Sequence, residues 1–77
     1  MKISVILHSY LREKLPAESK GEVTLELPDG SSIQDVYTML DLPHDLVCAL
    51  NNQIEQDHKH LLYEDDTLHF FRPAAGG

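Results

Sequence analysis

The sequence is poor in the features on which many functions depend. It has one cysteine, Cys48, so no internal disulfide can form, and this usage fits a reducing cytosol. Lysine and arginine together number 6 against 13 aspartates and glutamates, a formal net charge of −7. Nucleic acids and anionic membrane surfaces both call for clustered basic residues, so neither is an expected partner. A basic protein surface is the natural complement, because opposite potentials speed encounter and orient docking. The apolar runs are only a few residues long, too short to cross a bilayer. The start, Met1-Lys2-Ile3-Ser4, lacks the long apolar core of a signal peptide. A cytoplasmic location is therefore expected. There is no glycine-rich phosphate loop, so the chain is not expected to bind ATP itself. Cys-x-x-Cys and His-x-x-x-His are also missing, and no metal site is expected.

What is present amounts to one small domain over residues 1–77. A chain of this length buries only about 60% of its unfolded surface, yet can fold without a staple. Ile3, Val5 and Leu7 alternate with Lys2, Ser4 and His8, the period of a half-buried strand, with Ile6 the exception. Between Ser9 and Lys20 a weak helical spacing (Tyr10, Leu11, Lys14, Leu15) is cut by Pro16, which predicts a short helical turn and a polar loop. A second alternation follows, with Val23, Leu25 and Leu27 inward and Glu22, Thr24 and Glu26 outward. Pro28-Asp29-Gly30 is a turn signal.

One helix is predicted after it. Ser31 or Ser32 can cap its start, with Gln34 or Asp35 as the capping-box partner. Ile33, Val36, Tyr37 and Leu40 fall on one face, and Pro43 is expected to end the helix. Short strands come next. Leu46–Leu50 and Gln53–Glu55 flank an Asn51-Asn52 turn, and Leu61 and Leu62 are expected to plug the core. Glu64-Asp65-Asp66 is a turn, and Thr67–Arg72 is the last strand, stopped by Pro73. Strand, turn, strand, helix and several short strands describe an α+β roll. It matches a β-grasp, the ubiquitin-like architecture: a mixed sheet of four to five strands packed on one main helix.

The sequence runs out through Phe70-Phe71-Arg72-Pro73-Ala74-Ala75-Gly76-Gly77. A flexible tail over residues 73–77 is expected. Pro73 stiffens its exit, Ala74 and Ala75 keep it slim, and Gly76 and Gly77, without Cβ atoms, can thread a narrow channel. The reactive group would then be the carboxylate of Gly77. On the last strand Leu68 and Phe70 alternate with His69 and Phe71, which predicts Phe71 on the open face of the sheet, a docking anchor beside the tail. Arg72 belongs to the same docking surface. The histidines His8, His44, His58, His60 and His69, including the His58-x-His60 pair, read as surface residues. Cys48, inside an apolar run, reads as core.

These pieces resemble a known family along essentially the whole chain: the MoaD/ThiS ubiquitin-like sulfur carriers. The resemblance is carried by Ile3–Leu7, Leu11-Arg12-Glu13, the Asp29–Val36 turn and helix start, the Leu50-Asn51-Asn52 hairpin, the Asp65-Asp66 turn and above all Phe70–Gly77. Three departures stand out. Arg72 replaces the first of two prolines, Asn51-Asn52 replaces Asn-Gly, and Asp65-Asp66 lacks the usual glycine. The resemblance implies that an E1-like adenylating enzyme activates the Gly77 carboxylate with ATP. A sulfur donor working through that enzyme would then convert it to a thiocarboxylate. The chain would bind no cofactor and act as a non-catalytic carrier. In the branch that the Ser9–Lys20 segment favours, it is the small subunit of molybdopterin synthase, inserting its tail into the large subunit. Delivery to thiamine thiazole or another sulfur-accepting enzyme, conjugation to proteins through Gly77, and a binding module with an inert tail are the other readings.

Overall fold

A computed structural model describes residues 1–73 of the chain; Ala74, Ala75, Gly76 and Gly77 lie outside the described residues. Strand β1 (Lys2–Leu7) carries Ile3, Val5 and Leu7 into the core, each no more than 1% exposed. It pairs antiparallel with β2 (Glu22–Glu26), Ile3 facing Leu25 and Val5 facing Val23. Between them two 3-10 helices, Ser9–Lys14 and Ala17–Ser19, take the place of the expected single turn and loop. The first of them buries Leu11 completely. Gly21 (φ +83°) re-enters the sheet, and a Cβ there would lie 2.6 Å from the Leu7 carbonyl oxygen. Only glycine fits so close a backbone approach with that dihedral.

After Leu27, the turn predicted at Pro28-Asp29-Gly30 forms, with Gly30 at φ +88°. Helix α1 (Ile33–Leu40) then crosses the sheet with Ile33, Val36 and Tyr37 buried. Ser32 is its N-cap. The Asp35 carboxylate accepts from the Ser32 backbone N–H at 2.8 Å, which favours the Asp35 alternative for the capping box. The next orphan donors of the first turn are satisfied from across the chain. Ile33 N–H donates to the His60 carbonyl at 3.1 Å and Gln34 N–H to the His58 carbonyl at 2.8 Å. The His58–His60 segment, a turn in which the His60 N–H bonds the Asp57 carbonyl, thus serves the helix through its backbone.

Pro43 does not set the helix end. Asp41 adopts a left-handed conformation (φ 53°, ψ 53°), its N–H and that of Leu42 bond back to the carbonyls of Thr38 and Tyr37, and Leu42 is buried. The chain has already turned before the proline, which only bars a restart. Strands β3 (Val47–Leu50) and β4 (Gln53–Ile54) form the predicted hairpin. Asn51 (φ 50°) and Asn52 (φ 72°) both occupy the positive-φ region that a two-residue hairpin turn requires. Asp65 (φ 68°) likewise takes the left-handed position in the turn before β5 (Thr67–Phe71). The Asn51 side chain ties the two turns together, donating to Asp66 Oδ1 and accepting from the Thr67 N–H, both at 2.9 Å.

The sheet order is β2-β1-β5-β3-β4, with β5 parallel to β1 and antiparallel to β3. Five strands and one α-helix make the α+β β-grasp expected from the sequence. One core expectation needs correction. Leu62 is buried, but Leu61 is 45% exposed. An extended segment points successive side chains to opposite sides, so both cannot enter the core.

Candidate functional site

Phe70 and Phe71 are adjacent in β5 and point to opposite faces. Phe70 is fully buried and meets the Tyr37 ring edge-on at 5.1 Å. Phe71 lies on the open face, half-buried, its ring edge-on to His8 at 6.2 Å. Because β5 is the central strand, the chain leaves the sheet between the end of β1 and the start of β3, where Phe71 pairs with Val47. Arg72 and Pro73 are exposed immediately beyond it. Pro73 has no N–H to continue the ladder, and strand pairing stops at Phe71.

Around this exit the open face forms a groove of about 570 Å³, lined by His8, Ala49, Asn52, Ile54, His69, Phe71 and Arg72. Ile54 is 56% exposed and adds an apolar wall beside Phe71. Of the residues singled out in the sequence, the structure brings Phe71, Arg72 and Pro73 together at one end of the sheet. Ala74, Ala75, Gly76 and Gly77 lie outside the described residues.

The groove also holds something the sequence reading missed. His8 Nε2 and His69 Nδ1 are 3.0 Å apart. The parallel register, with Leu7 opposite Phe70, brings them together. Sequence alternation places each histidine on the open face, but only the β1–β5 pairing makes them neighbours.

The other histidines do different work. His58 and His44 stack on Tyr37 at 4.4 and 5.5 Å, while His60 Nδ1 bonds the Leu61 carbonyl at 2.9 Å. Among the described residues, no group of three or more His, Cys, Asp or Glu is placed to hold a metal ion.

Cys48 is 2% exposed on β3. Burial, with Glu55 adding its charge, pushes the thiol up to about 12. A thiol held protonated is a poor nucleophile. Burial also pushes the Tyr37 phenol up to about 12, with smaller contributions from Cys48 and Asp45. Both groups favour the folded state only while neutral. Their contribution is complete below their ordinary values, 9.0 for Cys48 and 10.0 for Tyr37, and is lost as pH rises from there towards 12. The urea midpoint is accordingly expected to hold steady up to about pH 9 and to fall above it, and Cys48→Ala should remove the first part of the fall. A midpoint flat to pH 11, or a fall unchanged in Cys48→Ala, would contradict this.

Among the described residues, then, no helix is long and apolar enough to cross a membrane, and the cysteine is sequestered. By sequence, no curated protein matches the chain significantly. By structure, it resembles molybdopterin converting factor subunit 1 from Pyrococcus furiosus, with a TM-score of 0.78 and 18% identity over 96% of this chain and 99% of the other. It also resembles small archaeal modifier protein 1 of Haloferax volcanii, with a TM-score of 0.77 and 16% identity over 95% and 98%. A third match is to a complex of subunits 1 and 2 of the molybdopterin-converting factor from Helicobacter pylori, with a TM-score of 0.70 and 15% identity over the full length of both chains. At such identities these likenesses establish the ubiquitin-like fold. The sequence itself goes further: residues 7–77 match the model of the ThiS family, and the chain belongs to that family of ubiquitin-like sulfur carriers.

Proposed function

We propose that the chain carries sulfur as a thiocarboxylate on Gly77 and delivers it in molybdopterin synthesis, as the small subunit of the synthase. The observation that carries this reading is the family match, which runs through the glycine pair to residue 77. The chemistry follows from the group. A carboxylate is a poor electrophile, so ATP first converts it to an acyl-adenylate, releasing pyrophosphate. An enzyme persulfide then attacks the acyl carbon and displaces AMP. A second thiol cleaves the resulting acyl disulfide reductively and leaves the thiocarboxylate. The E1-like adenylating enzyme holds the ATP and brings the sulfur donor. The carrier contributes a slim tail: Gly76 and Gly77 leave the carbonyl open from either face, and Ala74 and Ala75 pass the same channel. Phe71 and Arg72, which line the groove, and Pro73 just beyond them form the docking surface at its base. The large synthase subunit takes the same tail; that subunits 1 and 2 of the Helicobacter pylori factor form a protein–protein complex supports a partner of this kind.

A second reading has its own support. The structure is as close to a protein named as a modifier, with a TM-score of 0.77, as to the molybdopterin factor at 0.78. In that reading the same adenylate reacts with a lysine amine and forms an isopeptide bond. Intact mass separates the two. The full chain is incubated with the cognate activating enzyme, ATP and a sulfur donor. Exchange of one oxygen for sulfur at the terminus supports the carrier, adducts to lysines of other proteins support the modifier, and an unaltered carboxylate sinks both. Thiocarboxylated chain mixed with the large synthase subunit and the molybdopterin precursor should then lose its sulfur. Retention there, with release to a thiazole-forming system, would move the chain to thiamine synthesis.

A further inference from the structure

The carrier reading leaves the His8–His69 pair without a task. The nitrogens are 3.0 Å apart, the ring centroids 5.3 Å apart and the ring planes 19° from parallel. The centroid separation exceeds the nitrogen separation by about the radii of the two rings. The imidazoles therefore meet edge to edge, with Nε2 of one aimed at Nδ1 of the other. Their backbones are fixed on neighbouring strands by the β1–β5 ladder, and the His8 N–H donates to the Phe70 carbonyl at 3.1 Å. His8 is exposed and His69 half-buried, and both open on the groove.

We propose that His8 and His69 form a bidentate site for a late first-row divalent cation, Cu(II) above Ni(II). With metal–imidazole bonds of about 2.0–2.1 Å, two ligands at adjacent corners of a square-planar or tetragonal site stand about 2.9 Å apart, and two in a tetrahedral site about 3.4 Å. The observed 3.0 Å is the length of a ring-to-ring hydrogen bond; it places both nitrogens within reach of one metal ion once the rings turn, and the general affinity order puts Cu(II) above Ni(II). Binding requires the rings to turn so that both lone pairs converge on the metal. In the neutral pair one ring donates its N–H to the other. As the metal enters, that ring carries its proton on its other nitrogen instead, and no net proton is released. Water, or a donor atom from a docked protein, completes the coordination. His8 directly follows β1 and is tied to β5 through its N–H, and His69 lies in β5, so the backbones are already held and the ordering cost of chelation is reduced. Arg72, which also lines the groove, opposes a second cation, while the net charge of −7 favours one. The remaining histidines offer no such pair. The rings of His44 and His58 both stack on Tyr37 with their centroids 6.4 Å apart, and His60 bonds the Leu61 carbonyl.

The test uses the full chain titrated with Cu(II) at neutral pH, followed by calorimetry and by paramagnetic broadening of amide NMR signals. Broadening is expected to centre on His8, His69 and Phe71. His8→Asn and His69→Asn are each expected to weaken Cu(II) binding at least tenfold. The double variant should be no weaker than either single one, since losing one ligand ends chelation. His44→Asn and His58→Asn should bind as the unaltered chain does. Signal dispersion in the metal-free spectra reports folding of each variant. Unchanged affinity in folded His8→Asn or His69→Asn, or broadening centred on the Met1 amine or the other histidines, would overturn the assignment.

Discussion

Replacing Phe70 with alanine is expected to remove most of the stability of this domain. The side chain is fully buried, sits edge-on to Tyr37 of α1 at 5.1 Å, and lies on the central strand, opposite Leu7 of β1 and Cys48 of β3. Removing it opens a cavity where the helix and three strands meet. Phenylalanine-to-alanine changes in such positions cost about 3–5 kcal/mol. A chain of 77 residues has in total on the order of 4–12 kcal/mol to lose. With a urea slope of about 1 kcal/mol per molar for so small a protein, the midpoint should fall by about 3 M or the cooperative transition disappear. The check is a urea titration followed by circular dichroism. A shift below about 1 M would mean that the helix and sheet close over the gap, and that Phe70 is not the centre of the core.

The regular parts of this fold were legible in the sequence because they rest on local rules. Alternation located β1, β2 and the two faces of β5, and Asn51-Asn52 gave the hairpin because asparagine tolerates positive φ. The errors fall where a distant contact overrides a local signal. Leu61 looked like core by its type, but the bridge between Ser32 and Leu61 fixes the alternation of that segment and leaves only Leu62 inward. Pro43 looked like the helix stop, although the turn at Asp41 precedes it. The His58-x-His60 spacing drew attention to imidazoles, whereas the carbonyls of those residues cap α1. The site divides in the same way. Phe71 on the open face follows from parity alone. The groove and the His8–His69 contact depend on which strands pair, and β1 and β5 are about sixty residues apart in sequence. No local pattern encodes that register.

Phe71→Ala should have the opposite signature to Phe70→Ala, though the two residues are neighbours. Phe71 is half-buried on the open face and touches the His8 ring edge, so its loss opens no cavity in the core. Stability should change by less than about 1 kcal/mol. On the proposed reading, its ring and Ile54 form the apolar wall against which the activating enzyme seats the base of the tail. A central aromatic anchor of that kind is worth about 2 kcal/mol or more, which is roughly a thirtyfold loss in kcat/KM for adenylation. Pyrophosphate exchange with the cognate activating enzyme measures it directly. The loss should appear mainly in KM, because the substitution weakens docking and leaves the Gly77 carboxylate unchanged. A folded Phe71→Ala chain adenylated at the original rate would show that the partner grips the tail alone, and the docking role of the open face would have to be abandoned. A drop in kcat with unaltered KM would place Phe71 differently. Its task would then be to aim the tail once bound.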